Sequence, residues 1–284
     1  MPRILIAGCG YVGQAAADLF HGRGWKVEGW TASVQSAGQL AGKPYAVRGV
    51  DITNPAEVRA RGDEFDVIVH CASSGGGDAE QYRRIYLEGA RTLLDAFPLA
   101  RLIFTSSTSV YAQKHGVPVD ETSPANPGHE KGRVLRETEE LVLARHGIVA
   151  RLAGIYGPGR SFLLRTFLSG RAVLDGENRF INQAHRDDIA SALFLLAGGG
   201  ADLWGQTYNV VDDQPILTSE AYQWLSAHLR ESMRAGGVPP ERKRGDSNKR
   251  VSNKKLRALG WEPRFPNFPA GMTKSVLPSF GYDQ

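Results

Sequence analysis

Short apolar runs alternate with helical stripes through the first half of the chain. Six runs read as strands: Arg3–Ala7, Lys26–Trp30, Tyr45–Val50, Asp66–Cys71, Arg101–Ser106 and Ile148–Leu152. Between them Val12, Ala15, Ala16, Leu19 and Phe20 share one helical face, as do Tyr86, Ala90, Leu93, Leu94 and Phe97. A third stripe turns Leu135, Thr138, Leu141 and Val142 inward and Arg133, Glu137, Glu139 and Glu140 outward. Strands apolar on both faces, separated by helices, predict βαβ units and an α/β fold with a Rossmann-type doubly wound parallel sheet.

After Tyr156 the pattern breaks into short pieces punctuated by Gly and Pro. Helices are expected over Asp187–Ala197 and Ser219–Arg230, the latter with Thr218 as N-cap. The expected division is a dinucleotide-binding domain over 1–155 and a smaller substrate cap over 156–284, some segments of which return to the first domain.

Composition narrows the classes. With 284 residues, 42% hydrophobic and 23% charged, the chain is neither disordered, collagenous nor a coiled coil. Cys9 and Cys71 make no disulfide framework and no zinc spacing, so no metal is expected. The start of the chain lacks a leader pattern, and the longest apolar run, Ile189–Ala197, falls short of the ~20 residues a bilayer requires. A soluble, cytoplasmic protein without membrane contact is the expectation.

Net charge is +4, but residues 241–257 carry eight basic and two acidic side chains, a local +6 that leaves −2 elsewhere. Without interleaved aromatics this run reads as a solvated face and not a nucleic-acid site.

Gly8-Cys9-Gly10-Tyr11-Val12-Gly13 follows the first strand and opens the first helix. In that setting a GxGxxG loop points to a dinucleotide. Gly8 makes the tight turn, Gly10 admits the diphosphate, Gly13 lets helix pack on strand, and the helix N-terminus faces the anion. Cys9 and Cys71 read as packed thiols lining the cleft. An acid at the end of the second strand would select NAD, yet that stretch is Trp30-Thr31-Ala32-Ser33, and Glu28 lies too early. Thr31 and Ser33 could bond a 2′-phosphate, so NAD(P) is expected with a lean to NADP.

Several further segments, in order, resemble one family. Asp51-Ile52-Thr53 is similar to its adenine-side turn and Val69-His70-Cys71-Ala72 to its fourth-strand end. Phe104–Tyr111 resembles its serine segment, Arg151–Gly159 its entry to the substrate domain, and His185-Arg186-Asp187-Asp188 its HxDD helix start. With the glycine loop, the chain resembles an extended short-chain dehydrogenase/reductase of the NAD-dependent epimerase/dehydratase type.

That resemblance implies cofactor contacts at Gly8, Gly10, Tyr11, Val12, Gly13, Thr31, Ser33, Asp51, Ile52, Cys71 and Ala72. It also implies a serine, matched by Ser107, that hydrogen-bonds the reacting oxygen. The family's tyrosine, with lysine four residues later, has no match: no tyrosine here has lysine at that spacing. The slots hold Lys131 and Leu135 in one register, Gly132 and Arg136 in the other, which makes the chain an atypical member. Lys131 and Arg136 are the candidate substitutes, and Tyr86 stands where the family has asparagine. Arg160 and Arg179 resemble positions that grip a nucleotide-sugar diphosphate, suiting a small, anionic substrate. By resemblance, too, helices near 79–97 and 127–145 would pair two copies into a homodimer. Two functions remain open: an oxidoreductase or epimerase acting on a nucleotide-sugar or another small carbonyl or hydroxyl compound, and a catalytically silent NAD(P)-binding regulator or sensor.

Overall fold

The computed structural model describes residues 1–62, 64–172, 178–229 and 247–282. In chain order the strands are β1 Arg3–Ala7, β2 Lys26–Thr31, β3 Ala46–Gly49, β4 Val67–His70, β5 Arg101–Ser107, β6 Val117–Val119, β7 Ile148–Leu152, β8 Gly154–Tyr156, β9 Phe180–Ile181, β10 Gln183–His185, β11 Thr207–Val210, β12 Ile216–Leu217 and β13 Lys249–Val251. The helices needed below are α1 Tyr11–Gly22, α2 Val34–Gly38, α3 Pro55–Arg59, α4 Ala79–Tyr82, α5 Gly89–Ala96, α6 Glu130–Ala144, α7 Phe162–Leu168, α8 Arg186–Gly198 and α9 Thr218–Leu229.

Seven strands form one parallel sheet in the order β11-β7-β5-β4-β1-β2-β3. The order reverses between β1 and β4, and a crevice opens at the carboxyl ends of strands on either side of such a switch. β1, β4 and β7 are buried almost throughout because helices cover both faces, which is why they read as unbroken apolar runs. α1 lays Val12, Ala16 and Phe20 on the sheet and packs along α8. A second apolar cluster, including Tyr156, Leu164, Phe167, Tyr222, Leu225, Phe268 and Met272, gathers α7, α9 and the C-terminal turns.

Six of the seven sheet strands coincide with the expected runs; β11 was not anticipated. Its outer edge is sealed by side chains. The Asn209 N–H donates to Glu121 Oε1 at 2.7 Å, and Lys255 Nζ donates to the Thr207 carbonyl at 2.9 Å. Exposed edges invite pairing, and charged side chains are a common protection. Thr218 is the first residue of α9 and not its cap; Arg230 lies outside the described residues. Of the basic run, 241–246 also lies outside them, and Lys249 corrects the solvated reading. It is buried, donating to the Tyr111 carbonyl and to Ser247 Oγ, both at 2.8 Å.

The main correction on α6 is Glu139, expected outside and found fully buried. Its carboxylate accepts from Arg151 Nε at 3.0 Å and Nη2 at 2.7 Å, and from Ser106 Oγ at 2.6 Å. Arg136 also donates to it. Arg151 continues to the Tyr111 hydroxyl at 2.8 Å, which donates to Asn209 Oδ1 at 3.0 Å. A buried charge is tolerated only when its lone pairs and protons are matched in this way.

Between α4 and α5 the helix widens into a π-helical segment, Arg83–Glu88. Such a turn frees carbonyls from the i→i−4 ladder. Two of them, Ile85 and Tyr86, lie 3.2 and 3.3 Å from His70 Nε2 at the end of β4, which donates to them. Burial outweighs these bonds and lowers the His70 pKa to about 4, so the imidazole is neutral.

Two predictions follow from these buried groups. Glu139→Ala should cost about 3–5 kcal/mol in urea unfolding by stranding Arg151, whereas Glu140→Ala, an exposed partner of Arg136, should stay within about 1 kcal/mol. Unfolded, His70 takes up a proton near pH 6.5; folded, it resists until about 4. Its contribution is thus complete above 6.5 and is lost as pH falls towards 4, about 3 kcal/mol at about 1.4 kcal/mol per unit. His185, lowered to about 4 by burial, acts in the same sense, and Asp188, raised to about 6 by burial, opposes it. His70→Gln should flatten the difference in stability between pH 7 and pH 4.5 by the His70 share.

Candidate functional site

A cleft of about 490 Å³ opens at the β1–β4 switch and runs from the end of β2 to the end of β5. Its floor is the glycine loop. Gly8 has φ +108°, and a Cβ there would lie 2.2 Å from the Ala72 nitrogen. A Cβ on Gly13 would lie 2.2 Å from the Gly8 carbonyl oxygen. A Cβ on Gly10 meets nothing within 4 Å. The three glycines therefore differ: Gly8 and Gly13 make contact with neighbouring backbone, while Gly10 leaves open space. Gly10 is also the N-cap of α1, so no side chain bonds that helix's first N–H groups. An uncapped helix N-terminus beside a glycine where a Cβ would meet nothing is what an anionic diphosphate requires. On that ground the residues present fit a dinucleotide.

The loop's other residues pack as thiols and a phenol. Cys9 is buried, its pKa raised by burial to about 11, and Cys71 donates its thiol to the Gly8 carbonyl at 3.2 Å. Tyr11 sends its hydroxyl to the Pro158 carbonyl at 3.0 Å, tying the loop to the 157–160 turn. Arg160 and Arg186 lie over the Tyr11 ring at 5.2 and 4.9 Å from its centre, and Arg160 lines the cleft. Arg179 does not line it.

At the β2 end the cleft is lined by Thr31, Ala32, Ser36, Gln39, Asp51 and Ile52. Thr31 donates to the Ser33 carbonyl at 3.0 Å. Ser33 does not line the cleft; its Oγ caps α2, accepting from the Ser36 N–H at 3.2 Å. Asp51 holds the 51–53 turn, accepting from the Thr53 N–H and hydroxyl at 2.9 and 2.7 Å. Glu28 is turned away, accepting from Trp30 Nε1 at 2.7 Å and pairing with Arg48 at 3.0 Å. No carboxylate stands at the end of β2.

At the opposite end Ser107, Ser109, Leu135, Tyr82 and Tyr86 meet. Ser107 Oγ accepts from the Ser109 N–H at 3.2 Å, a local ST turn that fixes the serine at the rim. Leu135 lines the cleft, one helical turn after Lys131. Lys131 is not itself a lining residue; its Nζ stands over the Tyr82 ring, 5.3 Å from the centre. Arg136 lies off the cleft, drawn into ion pairs with Glu139 and Glu140. The structure thus gathers Gly8, Gly10, Tyr11, Val12, Thr31, Asp51, Ile52, Cys71, Ala72 and Ser107 around one cavity. Gly13, Ser33, Lys131 and Arg136 do not line it. Tyr82 and Ser109 were missed. Tyr82 carries no motif, and only the contact between α4 and α6 reveals it.

Comparison with known proteins bears on the fold and the family. The chain is 30% identical to protein YeeZ of Escherichia coli strain K12, over 94% of this chain and 97% of that protein. A dTDP-glucose 4,6-dehydratase from Bacillus anthracis, solved in complex with NAD, superposes with a TM-score of 0.82 at 18% identity, covering 100% of this chain and 97% of that one. A Thermus thermophilus UDP-glucose 4-epimerase complexed with NAD gives 0.80 at 20% identity, covering 96% of each chain. These two carry the fold. Among the described residues no helix is long and apolar enough to cross a membrane. The model of the NAD dependent epimerase/dehydratase family matches residues 4–209, and the chain belongs to that family.

Proposed function

We propose that the protein is an NADP-dependent oxidoreductase or epimerase acting on a small carbonyl or hydroxyl compound with an anionic group, such as a nucleotide-sugar. The observation that carries this reading is the continuity of one cleft from the glycine cradle to the serine rim. In this assignment Gly8, Gly10, Tyr11, Val12 and Gly13 hold the diphosphate, Asp51 and Ile52 the adenine, and Cys71 and Ala72 the floor. Bound there, the dinucleotide supplies or accepts a hydride at its nicotinamide. Ser107 hydrogen-bonds the reacting oxygen and fixes its distance from the cofactor. Arg160, at the cleft mouth, meets the substrate's phosphate or carboxylate, its plane held against Tyr11.

The preference for NADP rests on charge. A carboxylate at the end of β2 would repel a 2′-phosphate, and Thr31 stands there instead, with the Ser33–Ser36 hydroxyl pair beside it. Thr31 reaches a phosphate by turning its hydroxyl proton away from the Ser33 carbonyl. The silent-sensor alternative is favoured by one feature, Leu135 at a position that turns an apolar side chain to the cleft.

Fluorescence titration should find NADPH bound at least about tenfold more tightly than NADH, a difference of about 1.4 kcal/mol, and Thr31→Asp should reverse the order. Tighter NADH binding by the wild type would overturn the preference. Once a carbonyl panel yields hydride transfer, Ser107→Ala should lower kcat by about 100-fold with NADPH affinity unchanged. Full turnover in that variant would remove Ser107 from the mechanism, and a cofactor that binds with no transfer to any compound would favour the sensor.

A further inference from the structure

The function proposed above leaves the body of the substrate open, and the side chains around Ser107 differ in kind from those around the glycine cradle. Among the described residues lining the cleft, the only carboxylate is Asp51 and the only side-chain amides are Gln14 and Gln39. All three belong to the cradle and the β2 end: Gln14 lies in the first turn of α1, Gln39 at the end of α2, and Asp51 in the turn after β3.

At the serine end the lining is hydroxyl, aliphatic or aromatic. Leu135 comes from α6, Leu152 from β7, where it is the register partner of Ser107, and Ile155 from β8. Tyr82, from the end of α4, and Tyr86, from the π-helical segment, complete it. The two tyrosines belong to a fixed aromatic wall. Their rings lie 5.0 Å apart, and Tyr86 packs edge-on against Phe104 at 6.1 Å and stacks on His70 at 6.4 Å. His70 in turn anchors the π turn through the Ile85 and Tyr86 carbonyls, so the fold holds this wall in place. Two groups offer polar contact beside it. Ser107 Oγ accepts from the Ser109 N–H, which leaves its own proton for an incoming oxygen, and Arg160 brings a positive charge to the cleft.

Resting on the function proposed above, we propose that the serine end takes a flat, aromatic or conjugated carbonyl compound carrying one anionic group, in preference to a sugar ring. A sugar presents several adjacent hydroxyls, and each one buried without a partner weakens binding by about tenfold or more. The side chains suited to pairing adjacent hydroxyls are amides and carboxylates, and those of this cleft stand at its other end. A flat ring makes no such demand. It lies against the tyrosines, where stacking adds to the apolar area it buries. Its carbonyl oxygen accepts from Ser107, and its anionic group meets the Arg160 guanidinium. On reduction the carbonyl carbon gains a hydride from the dinucleotide and the oxygen a proton from solvent. The C=O π bond breaks as the C–H and O–H bonds form, and the dinucleotide is left oxidised.

The test compares two carboxylates of unlike body, naphthoate and glucuronate, titrated by calorimetry into the full chain saturated with NADPH. Naphthoate should bind at least about tenfold more tightly. Tyr86→Ala should weaken naphthoate by about tenfold, whereas Tyr86→Phe, which keeps the ring, should leave it unchanged. Leu135→Gln, which supplies an amide, should narrow the gap between the two ligands, and Arg160→Met should weaken both alike. An unchanged NADPH affinity in each variant shows that the fold persists. Equal or tighter binding of glucuronate, binding of neither compound, or naphthoate binding indifferent to Tyr86→Ala overturns the proposal. Absence of NADPH binding instead overturns the function above, while the same comparison on the unloaded chain, with Tyr86→Ala as control, still decides the preference for a flat ring. Where hydride transfer is found, Tyr86→Ala should raise KM for an aromatic aldehyde more than it lowers kcat. Turnover of a nucleotide-sugar ahead of aromatic aldehydes counts against the proposal.

Discussion

The site depends on the absence of two side chains. Gly8 lies against the backbone of Cys71 and Ala72, and Gly13 against the carbonyl of Gly8. These approaches bring the ends of β1 and β4 and the start of α1 to one point. Any Cβ at Gly8 would push the loop off β4, and its φ of +108° would strain the residue as well. Because the loop is pressed down there, Gly10 is left facing open space and the helix N-terminus points into the cleft. Even the thiol of Cys71 joins the contact through its bond to the Gly8 carbonyl. The cleft is the gap left by close backbone packing, and the side chains around it are arranged afterwards.

A second constraint fixes the opposite wall. Glu139 binds Ser106 from β5, Arg151 from β7 and Arg136 from its own helix, so α6 is clamped to two neighbouring strands by one carboxylate. Adjacent strand residues face opposite ways, and with Ser106 bonded to Glu139, Ser107 turns to the rim. The same clamp explains Arg136. Its guanidinium neutralises a buried charge, a structural demand that leaves it no place in the cleft.

Legibility in the sequence followed how local each constraint is. β1 to β5 and β7 could be read because strands covered on both faces are apolar at nearly every position. β11 could not, since polar Thr207 and Asn209 alternate with Tyr208 and Val210, and the groups that seal its edge come from residues 121 and 255. The glycine loop was legible because its requirements lie within six residues. Glu139 was not, because a lone acid on a helix reads as solvent-facing until Arg151, on another strand, is placed beside it. Lys249 failed for the same reason, its partner being a backbone carbonyl of residue 111. The π turn leaves no trace in hydrophobic periodicity, because the stripe through Tyr86, Ala90 and Leu93 remains intact on either geometry.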